Sequence, residues 1–180
     1  KFNERQSSPE VLHKAKDEFM GWSHKGWDGL GAFDSNERIL ANDLLGFKGH
    51  IVFPTSAFDQ VLASKDDQVV IGGVKALNRG MASFCQDDSR MHGVAYIPFH
   101  FGEEVALSFL NDAINKNFSV VAIDTIAPIG CKSSTHPDFD PIWKGIQEAD
   151  MAITLHVGID NSWDPVPLSF YNNAGSVPQH

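Results

Sequence analysis

A histidine closes the apolar run Ala152-Ile153-Thr154-Leu155-His156-Val157-Gly158, and a helix-like stretch from Phe139 to Asp150 precedes that run. Parallel α/β proteins keep their chemistry at the carboxyl ends of strands, so this order of segments predicts His156 as a site residue. One imidazole can take up a proton or ligate a metal, but it needs partners for either task. Asp124 and Thr125 hold the same position after Val120-Val121-Ala122-Ile123, where their polar groups are expected to point into a pocket. Phe53 closes a third apolar run, His50-Ile51-Val52-Phe53, while Asn78 and Arg79 fall within a helix-like stretch. Phe53, Asn78, Arg79, Thr125 and Trp163 are the candidate substrate contacts. Each candidate has a plainer alternative: core hydrogen bonding for His156, scaffold bonding for Asn78 and Arg79, ordinary aromatic burial for Phe53 and Trp163. His136 reads as a helix-entry residue beside Pro137 and Asp140, and His24 sits in a glycine-rich loop that can cover strand ends.

Strand-like and helix-like segments alternate along the chain to position these residues. Val11, Leu12, Ala15, Phe19 and Met20 share one face of a helix expected over residues 10–20. A second helix is expected over Ser35 to Leu45, with Ser35 as its cap. The strand at 50–53 stops at Pro54, since proline cannot donate to a ladder. Residues 56–67 read as a short helix or an active-site loop, with Asp66-Asp67 on a solvated face. Val74, Leu77, Met81 and Phe84 or Cys85 return with helical period. Val94-Ala95-Tyr96-Ile97 forms the next strand, Glu103 to Lys116 the clearest amphipathic helix, and Asn117 its stop. Asp140 is expected to cap the helix before His156, with Pro141 just inside it. Four strands near residues 51, 94, 120 and 152, with helices between them, are βα repeats whose crossovers imply a parallel sheet.

Composition narrows the class. The 180 residues are 42% hydrophobic, enough for one core. A formal charge of -9 without any basic run speaks against nucleic acid and against a polybasic membrane contact. No stretch approaches the roughly 20 apolar residues of a membrane span. Cys85 and Cys131 read as small hydrophobes, and the expected location is cytoplasmic. The amino end lacks a starting Met and a signal-peptide core, so the natural start is expected to be absent or processed. No glycine-rich phosphate loop is evident.

Four pieces in one order give the chain a likeness. They are His50-Ile51-Val52-Phe53-Pro54-Thr55, Ala76-Leu77-Asn78-Arg79, Arg90-Met91-His92-Gly93-Val94-Ala95, and His136-Pro137-Asp138-Phe139-Asp140-Pro141-Ile142-Trp143 followed by Leu155-His156-Val157-Gly158. The pattern resembles the metal-dependent amidohydrolase-related family that includes aminocarboxymuconate-semialdehyde decarboxylase and aromatic-acid decarboxylases. The resemblance implies a distorted (β/α)8 TIM barrel with a divalent metal, often zinc, at the strand ends. His156 matches that family's fifth-strand metal ligand. Its first-strand His-x-His pair has no counterpart here, and its later ligands would lie beyond residue 180.

A partial barrel is therefore the expected fold, about the first half of an amidohydrolase-like barrel with its first and last strands missing. One domain spans 1–180, with a helical and loop region over 1–34 and a long loop over 162–180. The resemblance implies a metal-dependent decarboxylase or hydrolase for a small carboxylated, possibly aromatic, substrate when the chain is complete. This segment alone is expected to be inactive. The alternative is a noncatalytic α/β assembly domain or a small-molecule-binding domain. A homo-oligomer or the missing remainder of the barrel would then cover its sheet.

Overall fold

The computed structural model describes residues 29–54, 56–124, 128 and 130–155. The expected helix at 10–20, the His24 loop, and Thr125, His156, Trp163 and the 162–180 loop lie outside the described residues. The chain divides into two compact units, Lys1–His50 with Gln86–Met91, and Ile51–Cys85 with His92–His180.

In the first unit, helix α1 spans Ser35–Leu45. Its cap is Asp34 rather than the expected Ser35. The Asp34 carboxylate reaches the N–H groups of Asn36 (2.9 Å) and Glu37 (3.1 Å), and a charged acceptor satisfies the positive end of a helix better than a hydroxyl. Gly46 ends α1 at φ 71°, in the left-handed region where a Cβ is costly. Its N–H and that of Phe47 bond back to Asp43 and Asn42, which closes a Schellman motif. Arg90 is clamped by two carboxylates, Asp88 on two of its nitrogens and Asp43 at 2.8 Å. The guanidinium holds the Asp88 carboxyl below the usual carboxylate range, and Asp88 and Asp43 raise the arginine in turn. His50 Nδ1 lies 3.0 Å from Asn42 Oδ1, and its ring meets Phe47 edge-on at 5.6 Å. Burial, then the charge of Arg38, pushes the His50 imidazole below its ordinary value.

The second unit carries most of the sheet. Strand β1 spans His50–Val52, with His50 itself on the first unit, followed by β2 Met91–Ile97, β3 Val120–Ile123 and β4 Ala152–Thr154. Their order is β1-β2-β3-β4, and the last three are parallel in the registers Tyr96↔Ala122 and Val121↔Ile153. Between β1 and β2 lie α2 (Ser56–Leu62) and α3 (Asp67–Cys85); α4 (Glu103–Asn115) and α5 (Asp140–Glu148) fill the next two crossovers. The architecture is α/β with an open parallel sheet of four strands, as the alternation of segments implied.

Helix α3 begins seven residues earlier than its apolar period suggests. Asp66 starts it by accepting from the N–H of Gln68 at 2.9 Å, so the Asp66-Asp67 pair is a helix entry as well as a polar face. The Gly72-Gly73 pair masks this in the sequence, because glycine weakens a helix interior. Gly73 is there for space: a Cβ would come within 2.8 Å of Val61 Cγ1 on α2. Asn117 follows α4 with φ 58°, the left-handed stop expected of it. At α5 the expected side-chain cap by Asp140 is replaced by another device. His136 Nδ1 accepts from the Asp138 N–H and caps a 3-10 turn, Pro137–Phe139, that feeds the helix.

The core centres on β2 and β3. Val94, Ala95, Tyr96 and Ile97 are fully buried, as are Val121 and Ala122 beside them. Phe109 and Leu110 of α4 and Ile142 and Ile146 of α5 are buried too. Phe99 stacks on Phe139 at 4.9 Å and on Trp143 at 5.3 Å, and Trp143 places its indole N–H 2.8 Å from the Ser134 carbonyl. That bond satisfies a polar edge that aromatic burial would otherwise strand.

Candidate functional site

Three polar side chains meet where β2 and β3 end. Tyr96, next to last in β2, sends its hydroxyl to Asp124 Oδ1. Asp124 follows the last residue of β3 and is buried. Its other oxygen accepts twice from His100, from the backbone N–H at 2.8 Å and from ring Nδ1 at 2.9 Å. His100 lies in the 3-10 turn Phe99–Phe101 just past β2, so the end of β2 contributes two groups and the end of β3 one. The same carboxylate oxygen therefore meets both the backbone and the ring of one residue.

The cluster is held from behind. Asn78 of α3 donates from Nδ2 to the Tyr96 carbonyl and accepts from the Tyr96 N–H, both at 2.9 Å. One amide side chain thus spans both backbone groups of a central strand residue and fixes α3 against β2. Phe58 of α2 meets the Tyr96 ring edge-on at 5.3 Å. After β3, half-buried Cys131 is raised in pKa by burial and then by the negative charges of Asp124 and Asp67, which keeps it a thiol rather than a nucleophilic thiolate. In the same loop Lys132 pairs with Asp138 and holds that carboxyl below its usual range. Ser133, fully buried, shares a 2.8 Å hydrogen bond with Thr135.

The residues assigned from sequence separate on this scaffold. Asn78 is buried on the sheet and its amide is bonded to Tyr96. Arg79, one position on, is exposed, because a turn of about 100° per residue carries neighbours to different faces. Phe53 is half-buried directly after β1. His136 stands at the entry to the 3-10 turn before α5. Thr125, Trp163 and His156 lie outside the described residues, so Phe53 and Asp124 are the assigned strand-end residues seen in place.

Tyr96 and His100 are the members that the sequence reading missed. Tyr96 carried a signal, since a phenol inside a wholly apolar run needs a buried partner. His100 carried less, because an aromatic turn after Pro98 looks like core.

Among the described residues, no group of three or more His, Cys, Asp or Glu side chains is arranged to hold a metal ion. His100 and Asp124 supply two donor types, and the carboxylate takes three hydrogen bonds from Tyr96 and His100. Also among these residues, no helix is long and apolar enough to cross a membrane. No family model matches the chain, and no curated protein matches it.

Proposed function

We propose that this chain is a noncatalytic α/β assembly domain whose sheet is completed by another copy or another polypeptide. One observation carries the reading: each edge strand leaves an apolar side chain facing solvent. Ile51 of β1 is 50% exposed, Ile153 of β4 is 46% exposed, and Leu155 just beyond β4 is 64% exposed. Parallel sheets are ordinarily covered on both faces and along their edges, and an open apolar edge is a template for pairing. Fully burying a side chain of this size contributes roughly 1.5–3 kcal/mol, so covering Ile153 and Leu155 favours association by a few kcal/mol. The Asp124 carboxylate meanwhile turns inward on Tyr96 and His100, as in a tie between strand ends.

Sedimentation of the wild-type chain beside an Ile153→Lys, Leu155→Lys variant tests this. The reading expects a wild-type species heavier than one chain and a folded, single-chain variant. A single-chain wild type, with a variant that no longer folds, would show that these side chains pack within their own chain and would sink the assembly role.

A second reading is favoured by the direction of the strands. β2, β3 and β4 run parallel, so their carboxyl ends share one edge, and β4 ends two residues before position 156. That is consistent with the amidohydrolase-related barrel, in which His156 would join a divalent-metal site of a longer protein. Such a protein would decarboxylate or hydrolyse a small carboxylated substrate in the cytoplasm, and the 180-residue chain alone would be inactive. Metal analysis of the longer protein and its His156→Ala form decides the matter: loss of bound metal supports the ligand role, whereas unchanged stoichiometric binding removes it.

A further inference from the structure

No further inference is drawn: the strongest candidate, the buried Tyr96–His100–Asp124 cluster at the carboxyl edge of β2 and β3, belongs to the site already described.

Discussion

The central strands and the edge strands are written in much the same alphabet and meet opposite fates. Val94-Ala95-Tyr96-Ile97 and Val120-Val121-Ala122-Ile123 are apolar runs, and so is the stretch around Ile153 and Leu155. The first two are buried throughout, while Ile153 and Leu155 lie open. Hydrophobicity alone does not tell a core strand from a waiting edge. What differs is the polar bonding that surrounds the strand. β2 is pinned through Asn78 at its backbone and through Asp124 at its Tyr96 hydroxyl. Such bonds contribute little net energy when made, but leaving one partner buried and unpaired is expensive.

The largest test of that contrast removes the carboxylate. Asp124→Ala strands the Tyr96 hydroxyl and both His100 donors, and should cost about 3 kcal/mol or more in a chemical-denaturation measurement. Loss below about 1 kcal/mol would mean that the strand-end cluster does not hold the centre. Next comes Asn78→Ala, expected to cost about 2 kcal/mol, with Asn78→Asp nearly as harmful because a carboxylate cannot donate to the Tyr96 carbonyl. A fully tolerated Asn78→Asp would contradict the two-way bond to the strand.

At the edge the same scale of change should do far less to folding. Ile153→Lys with Leu155→Lys should move stability by no more than about 1 kcal/mol, within the range of surface substitutions, while shifting the sedimentation coefficient to that of a single chain.

The smallest effect is a pH dependence in the first unit. The His50 imidazole is lowered by burial, so the unfolded chain binds its proton more readily than the folded one. Its stabilising contribution is complete above the ordinary value of 6.5 and is lost as pH falls through 6.5 toward the depressed folded value. The Asp88 carboxyl has the same sign in a more acidic window, beginning at its ordinary 3.8. Thermal melts between pH 7 and 5 should therefore fall more steeply for the wild type than for His50→Gln. Parallel slopes would remove His50 as the cause.

Much of the fold was legible because period and punctuation agreed. The alternation of apolar runs and amphipathic stretches gave four strands and the helices between them, and Asn117 marked the end of α4. Errors clustered where one residue does two jobs. Asp66-Asp67 looked like a charged surface and is also the start of α3, whose apolar period shows only from Val74 onward. Beyond Asn78, which holds the cluster from behind, the site was legible only at Asp124. Its partners come from β2 and the turn after it, at separations of 24 and 28 residues, and the bond through space leaves no local pattern in the chain. Tyr96 could be suspected from its hydroxyl, but its partner needed the register of β2 on β3.

Hydrogen exchange on the dilute chain tests the contrast between centre and edge most directly. Ala152 directs its N–H to the Ser119 carbonyl at 2.8 Å, and strand alternation turns the next N–H, that of Ile153, away from β3. The account predicts that the Ile153 amide exchanges orders of magnitude faster than the Ala95 and Val121 amides, and gains protection as the chain is concentrated. Protection at Ile153 equal to that at Ala95 in the dilute chain would mean that the edge is already covered and would contradict the assembly reading.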